Sequence, residues 1–260
     1  MKNDELKIIF LSDMHLTHQE DFLGIDTFAS FNSTVTHIQE NHNDADYVVL
    51  GGDFIQDQKK ESFEFFYTQI QRLNSSLLYA RGNHDISDKF YSSLGSESDF
   101  FISTKYWEIV MLETYSKGNI FGEIGMKDLR KLVDHSFLNK DKSFFIYMHH
   151  NLFMTQSPWL DMHITKNREE VLSVLKKIKN LRLVINGHIH QETNLIHEGI
   201  EFYSSPSTSA QFTSGEKEFK LGKEKPGYLI IKLRKEGLNK VKCQRIIGNF
   251  GTPDKKPKSY

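Results

Sequence analysis

The sequence predicts an α/β fold in which two packed sheets carry helices on their outer faces. Short apolar runs alternate with amphipathic stretches as far as residue 187, a pattern typical of βαβ units and largely parallel sheets. After His190 the segments become β-rich, and two packed sheets accommodate this change. The chain of 260 residues is long enough for one large domain of this kind or for two small ones.

The predicted elements follow one another in regular order. Buried strands are predicted over residues 6–12, 47–53, 76–80, 107–114, 143–149 and 181–187. Amphipathic helices are predicted over residues 28–41, 59–73, 126–137 and 167–178. The later β-rich segments read "TNLIHEG", "IEFYSS", "GYLIIKL" and "KVKCQRII". We expect a catalytic domain over residues 1–248 and a mobile tail over residues 249–260, whose end is rich in Pro and Lys.

Composition and charge exclude several classes of protein. The net charge of -1 gives no electrostatic basis for binding nucleic acid. A single cysteine, Cys243, excludes an intramolecular disulfide framework and suits a reducing compartment. The beginning "MKNDELKIIFLSD" lacks the features of a signal peptide, and no segment has the length and apolarity of a membrane span. These features predict a cytoplasmic protein that has no membrane partner.

Polar clusters follow five of the predicted strands. They read "SDMH", "GGDFIQD", "GNHD", "MHHN" and "NGHIH". In open α/β sheets, ligands bind beyond the carboxyl ends of the strands, and residues two apart in an extended segment point to the same side. The candidate functional residues are therefore Asp13, His15, Asp53, Asn83, His84, His149, His150, His188 and His190.

This set is too rich in ligands for a single cation. Two carboxylates, one amide and at least four imidazoles suit two metal ions that share a carboxylate. The set contains no thiolate, which excludes a preference for soft metals or iron–sulfur clusters. Mixed oxygen and nitrogen ligands are compatible with Mn, Fe, Co or Zn.

The ordered motifs "DMH", "GGD", "GNHD", "HH" and "GHIH" resemble those of the calcineurin-like metallophosphoesterase superfamily. More narrowly, the chain resembles the class III cyclic-nucleotide phosphodiesterases, of the bacterial 3',5'-cyclic AMP phosphodiesterase type. The closer similarity rests on "GIDTFASF", "SPWLDMHITKN" and "SSPSTSAQFTSGEKEF". The resemblance implies a two-sheet sandwich flanked by helices (α/β/β/α), with a dimetal site at the strand ends.

Carried over position by position, the resemblance implies a role for each motif residue. The first metal would be bound by Asp13, His15, Asp53 and His190. The second metal would be bound by Asp53, Asn83, His149 and His188, with Asp53 as the bridge. His84 would be the catalytic residue, facing the substrate phosphate. The substrate-binding set implied is His15, Asp53, Asn83, His84 and His190.

Four points stay open in the sequence. Either His149 or His150 can be the ligand, and we favour His149 because it is the first polar residue after its strand. Arg81 precedes "GNHD", where relatives often have proline, and we expect it to be exposed to solvent. This family often has a proline soon after the histidine pair, where this chain has "HHNLF". Trp159 and Phe212 either stack on a base or pack in the core.

The predicted activity is hydrolysis of a 3',5'-cyclic nucleotide, most simply cyclic AMP to 5'-AMP. Two divalent ions, the carboxylates of Asp13 and Asp53 and a hydroxide sum to one positive charge, which a phosphodiester monoanion neutralises. Fe or Mn is the favoured metal, with Zn or Co as further candidates. The alternative substrate is another small diester, such as a glycerophosphodiester or a nucleotide-sugar pyrophosphate. The oligomeric state is not predicted.

Overall fold

The computed structural model describes residues 4–94 and 100–254. Its strands are β1 Glu5–Leu11, β2 Tyr47–Leu50, β3 Ser76–Tyr79, β4 Phe101–Ser103, β5 Trp107–Met111, β6 Ser143–Met148, β7 Leu181–Asn186, β8 Thr193–His197, β9 Ile200–Ser204, β10 Gly227–Arg234 and β11 Asn239–Arg245. Its α-helices are α1 Thr27–His42, α2 Lys60–Ile70, α3 Asp88–Ser93, α4 Met126–Leu138, α5 Pro158–Asp161 and α6 Arg168–Leu175.

The strands form two mixed sheets. The first has the order β11-β10-β1-β2-β3, in which β1, β2 and β3 are parallel and β10 is antiparallel to both its neighbours. The second has the order β4-β5-β6-β7-β9-β8, in which β5, β6, β7 and β9 are parallel. Helices connect β1 to β2, β2 to β3, β5 to β6 and β6 to β7, as the alternation in the sequence predicts, whereas β8 connects β7 to β9. The predicted fold class is confirmed.

Three apolar clusters hold the layers together. Phe10 of the first sheet and Ile185 of the second belong to the cluster between the sheets, and both are fully buried. Phe31 of α1 packs in a second cluster on the outer face of the first sheet, and Leu132 of α4 packs in a third cluster against the second sheet. Strands covered on both faces must be apolar throughout, which explains the continuous run around Ile9 in β1. The order of layers is helix, sheet, sheet, helix.

Most element boundaries agree with the sequence prediction within three residues. The short elements α3, β4 and α5 were not predicted, because three to six residues are too few for a periodic pattern. The side chain of Asp26 accepts a hydrogen bond from the amide of Ala29 and so caps the start of α1. None of the helices in the described part of the chain is long and apolar enough to cross a bilayer.

The predicted tail lies partly outside the described residues. Residues 255–260 are not described. Within the described part, Phe250 is 6% exposed and its carbonyl accepts a hydrogen bond from the amide of Asp26. The domain boundary at residue 248 and the mobility of the tail stay predictions.

Candidate metal centre

The predicted ligands lie at the carboxyl ends of β1, β2, β3, β6 and β7. Five of them adopt a positive φ, namely Asp13 (59°), His15 (45°), Asp53 (55°), His188 (67°) and His190 (48°). Residues other than glycine rarely adopt this left-handed conformation, and when they do the strain is concentrated at functional sites. The backbone is therefore bent after β1, β2 and β7, where these five residues lie.

A first group of ligand atoms comes from Asp13, His15 and His190. Each residue offers one atom, and the three atoms lie within 4.8 Å of one another. Nε2 of His15 is 3.1 Å from Nε2 of His190, which is 3.5 Å from Oδ1 of Asp13. All three side chains are completely buried.

Hydrogen bonds fix the tautomers of the two imidazoles in this group. Nδ1 of His190 lies 2.7 Å from the carbonyl oxygen of Ala210, and Nδ1 of His15 lies 2.8 Å from the side-chain oxygen of Gln56. Both oxygens can only accept, so each Nδ1 donates a hydrogen. Burial lowers the pKa of His15 to about 3, which keeps this ring neutral and leaves a lone pair on its Nε2. The Nε2 atoms of the two rings thus lie together beside a carboxylate, an arrangement that suits a metal ion.

Asp53 connects this group with His149. Oδ2 of Asp53 is 3.7 Å from Nε2 of His15 and 3.3 Å from Nε2 of His149. Nδ1 of His149 donates to the carbonyl of Gly51 over 2.7 Å, so its Nε2 is the atom that faces Asp53. Neither Oδ2 of Asp53 nor Nε2 of His149 has a hydrogen-bond partner among the described residues. Although burial opposes protonation of His149, the neighbouring Asp53 carboxylate raises the pKa of this imidazole to about 10.

A second group of ligand atoms surrounds His188. The rings of His149, His150 and His188 each offer an atom within 4.8 Å of the others. Neither ring nitrogen of His188 has a hydrogen-bond partner in the described part of the chain, and burial holds the pKa of His188 well below its ordinary value. The side-chain oxygen of Asn83 is also buried without a partner there. Buried polar atoms normally have partners, so these atoms fit a metal ion.

The two adjacent histidines differ in their hydrogen bonds. Nδ1 of His150 is 2.8 Å from the hydroxyl of Thr114, and its Nε2 is 3.3 Å from the carbonyl of Ile120. Both nitrogens of His150 are therefore engaged by the protein, whereas Nε2 of His149 is not.

His84 lies at the edge of the buried group. Its backbone amide donates to Oδ1 of Asp53 over 2.8 Å, and its ring meets that of His15 edge-on with a centroid distance of 4.9 Å. Its neighbour Asp85 is buried and accepts hydrogen bonds from the amides of Gly82, Asp53 and Phe54. The loop after β3 is thereby joined to the loop after β2.

Two glycines allow these loops to approach closely. A Cβ atom on Gly82 would lie 2.1 Å from Oδ1 of Asp53, and one on Gly52 would lie 2.5 Å from Nδ1 of His149. Gly52 also has a φ of 101°. The "GGD" and "GNHD" motifs therefore need glycine because a side chain would occupy the space of a candidate ligand.

Several residues orient these ligands in ways that the sequence did not predict. Phe22 stacks on His15 with a centroid distance of 4.4 Å, and Phe212 stacks on His190 at 4.1 Å. The hydroxyls of Ser207 and Ser209 both donate to the backbone carbonyl of Asp13. Such partners come from distant segments and follow no spacing rule, although Ser207, Ser209 and Phe212 lie in the family-like segment "SSPSTSAQFTSGEKEF".

The expectation that Arg81 is exposed to solvent is wrong. Its residue exposure is 9%, and its guanidinium group lies 3.8 Å from the ring centroid of Tyr115. Nε donates to the carbonyl of Asp85 and Nη2 pairs with Asp88, each over 2.7 Å. Arg81 therefore anchors the "GNHD" loop to α3.

Comparison with known proteins agrees with this geometry. Residues 6–192 match the profile of the calcineurin-like phosphoesterases. The chain belongs to this family. Members of the family use two metal ions, and the buried groups around Asp53 supply suitable ligand atoms. The chain is therefore a metal-dependent phosphoesterase.

Individual relatives match nearly the whole chain. The 3',5'-cyclic adenosine monophosphate phosphodiesterase CpdA of Haemophilus influenzae is 28% identical over 93% of this chain and 90% of its own. CpdA of Escherichia coli K12 is also 28% identical, over 98% of this chain and 95% of its own. Among solved structures, a dimetal phosphatase from Danio rerio has a TM-score of 0.66 at 12% identity and covers 93% of this chain and 99% of its own. Purple acid phosphatase PPD1 from yellow lupin has a TM-score of 0.65 at 11% identity and covers 95% of this chain and 52% of its own. These structural similarities concern the fold.

Proposed function

We propose that this phosphoesterase hydrolyses 3',5'-cyclic nucleotides, and specifically cyclic AMP to 5'-AMP. The observation that carries the proposal is the pair of buried ligand groups joined at Oδ2 of Asp53, in a chain whose relatives named CpdA match over 93% and 98% of its length. Hydrolysis forms a bond between a water oxygen and phosphorus and breaks the bond from phosphorus to the 3' oxygen.

The proposal assigns seven side chains to two cations. The ligands of the first are Asp13, His15, Asp53 and His190, and those of the second are Asp53, Asn83, His149 and His188. The position of Oδ2 of Asp53 between Nε2 of His15 and Nε2 of His149 supports a bridging role. The engaged nitrogens of His150 support His149 as the ligand.

When bound, the two cations lower the pKa of water and stabilise negative charge on the phosphoryl group. The carbonyl of Ala210 and the side chain of Gln56 orient His190 and His15, so that each Nε2 points into the centre. Asp13 and Asp53 are the two carboxylates among the proposed ligands. Together with two divalent cations and a hydroxide they give the loaded centre one positive charge, which a diester monoanion neutralises.

His84 is the proposed catalytic residue. Its ring is half-buried, whereas the candidate ligands around it are almost all completely buried, so it is the imidazole best placed to meet a substrate. Its proposed role is to donate a proton to the departing 3' oxygen. General acid catalysis of this kind raises the rate of reaction by about 10²- to 10⁴-fold. His15, Asp53, Asn83, His84 and His190 form the proposed substrate-binding set.

The proposal extends to the cofactors and the location. Fe or Mn is the favoured metal, with Zn or Co as further candidates, because the ligands are oxygen and imidazole nitrogen. A cytoplasmic location is supported by the single cysteine, Cys243. The catalytic domain is proposed to span residues 1–248, since β11 ends at Arg245 and completes the first sheet.

A substrate panel tests the proposal. Purified protein reconstituted with Mn or Fe is assayed with cyclic AMP, cyclic GMP and bis(p-nitrophenyl) phosphate. We expect hydrolysis of cyclic AMP to 5'-AMP that stops on chelation. Hydrolysis of the generic diester without any cyclic-nucleotide hydrolysis would contradict the proposal and favour another small diester.

A further inference from the structure

His163 is a histidine beside the metal centre that the proposed set of ligands and catalytic groups does not use. It lies two residues beyond the end of α5, on the segment between β6 and α6. Its ring centroid is 6.2 Å from that of His188, a proposed ligand of the second cation. The residue is 9% exposed, whereas His188 is completely buried, so His163 keeps a contact with solvent that the ligand beside it lacks.

Backbone hydrogen bonds fix the position of His163 on both sides. The amide of His163 donates to the carbonyl of Leu160 over 2.9 Å, and the side chain of Leu160 is completely buried. Two residues further on, the amide of Thr165 donates to the carbonyl of Asn151 over 3.2 Å. Asn151 directly follows the histidine pair at the end of β6, so the segment with His163 is joined to a loop of the metal centre. A residue held in this way is suited to binding, because its geometry is set in advance.

His163 is placed neither as a metal ligand nor as a support for one. The groups of three or more candidate ligand atoms within 4.8 Å of one another, searched over residues 4–94 and 100–254, do not include His163. Both ring nitrogens of His188, Nε2 of His149 and Oδ1 of Asn83 have no hydrogen-bond partner in the described part of the chain. His163 therefore does not orient these proposed ligands through hydrogen bonds.

His163 and His84 lie beside different parts of the centre. The ring of His84 meets that of His15, a proposed ligand of the first cation, at 4.9 Å. The ring of His163 lies beside His188, a proposed ligand of the second. Burial lowers the pKa of His163, and the charge of His84 lowers it further, so the two imidazoles are close enough for their charges to interact. Each proposed cation site therefore has one further imidazole beside it.

We propose that His163 binds a non-bridging oxygen of the substrate phosphate through a hydrogen bond from its imidazole. An imidazole has at least one N–H donor in either protonation state, and hydrogen bonds to a charged acceptor are the stronger ones. His84 then acts on the departing oxygen while His163 holds the phosphate. The inference rests on the proposed ligands of the second cation. It does not depend on which diester is the substrate, because every phosphodiester has two non-bridging oxygens.

Binding of inorganic phosphate to the metal-loaded, full-length protein tests the inference without turnover. His163→Leu removes both ring nitrogens and keeps a branched side chain. We expect titration calorimetry to show phosphate binding weakened about ten- to hundredfold, because a hydrogen bond to a charged group is lost. His197→Leu makes the same change at an exposed histidine of β8 and should match the parent. Elemental analysis should find the metal content of the parent in both variants.

Amide variants distinguish a hydrogen bond from packing. Asn in place of His163 puts an N–H donor near the position of Nδ1, and Gln puts one near that of Nε2. We expect either His163→Asn or His163→Gln to bind phosphate more tightly than His163→Leu does. KM for bis(p-nitrophenyl) phosphate should rise in His163→Leu by the factor lost in phosphate affinity, with a smaller change in kcat, because the bond is already made in the bound substrate.

Three results would overturn the inference. They are an unchanged phosphate affinity in His163→Leu, an equal weakening in the Leu, Asn and Gln variants, and loss of bound metal in all three. His163→Ala takes the place of His163→Leu should the latter not fold. Failure of cyclic AMP hydrolysis, with turnover of the generic diester retained, would overturn the proposed function and leave the phosphate-binding result standing.

Discussion

Nε2 of His15 and Nε2 of His190 lie 3.1 Å apart in a completely buried centre, and each ring is fixed by the hydrogen bond that its Nδ1 donates. Burial lowers the pKa of His15 to about 3, so its Nε2 carries a lone pair that a metal ion can accept. We therefore expect a cation bound at this position to contribute to the stability of the fold as well as to its chemistry.

Removal of metal should therefore destabilise the fold. A ligand present at 100 times its dissociation constant stabilises the native state by about 2.7 kcal/mol. We expect the midpoint of thermal unfolding to fall by several degrees when Mn-loaded protein is treated with a chelator, and to recover when Mn is added back. Calorimetry measures both changes, and an unchanged midpoint would mean that no tightly bound ion contributes to stability.

The bridging position of Asp53 predicts the metal content of its variants. Asp53→Ala removes an oxygen near both ligand groups, so we expect the variant to retain neither ion tightly, whereas Asp13→Ala should weaken one. Elemental analysis after gel filtration measures the bound metal. Asp21→Ala, at an exposed aspartate, is the control and should keep the metal content of the parent. Two tightly bound ions in Asp53→Ala would refute the bridge.

His84 should affect turnover without affecting metal content. His84 is half-buried, and its anchor to Asp53 is a backbone amide that substitution leaves in place. We expect His84→Ala to lower kcat for cyclic AMP by about 10²- to 10⁴-fold. His197→Ala, at an exposed histidine of β8, should retain activity. Loss of metal together with activity in His84→Ala would assign His84 to metal binding instead.

Glu108 provides a prediction of pH dependence away from the metal centre. It is fully buried in β5, and its carboxylate is bound by Lys142 at 2.7 Å and His135 at 2.8 Å. Burial alone would raise the pKa of Glu108, but the hydrogen bonds from Lys142, Ser103 and His135 hold it below its ordinary value. A lowered folded-state pKa contributes stability above the unfolded pKa of about 4.3, and this contribution is lost as pH falls through the folded value.

The variant Glu108→Gln should accordingly be less stable than the parent by about 1–3 kcal/mol at pH 7. Urea unfolding at pH 7 and at a series of pH values below 4.3 measures the difference in free energy of unfolding, which should shrink as the solution becomes acidic. Glu61→Gln, at an exposed position in α2, should differ little from the parent at either pH. A difference that grows at low pH would contradict the assigned sign.

The sequence predicted the fold and the clustering of the site because both depend on local patterns. Apolar runs mark the buried strands, and the polar residues that follow them must meet at the sheet edges. The sequence favoured His149 but left His150 as an alternative, because the partners of His150, Thr114 and the carbonyl of Ile120, lie 36 and 30 residues away along the chain. The burial of Arg81 was missed for a similar reason, since Tyr115 lies on a different loop.

The proposed chemistry requires two cations that share the carboxylate of Asp53. Anomalous X-ray scattering at the Mn absorption edge, from crystals of Mn-loaded protein, locates such ions. We expect two peaks about 3.5–4 Å apart, with Asp53 in contact with both. A single peak, or two peaks of which only one touches Asp53, would contradict it.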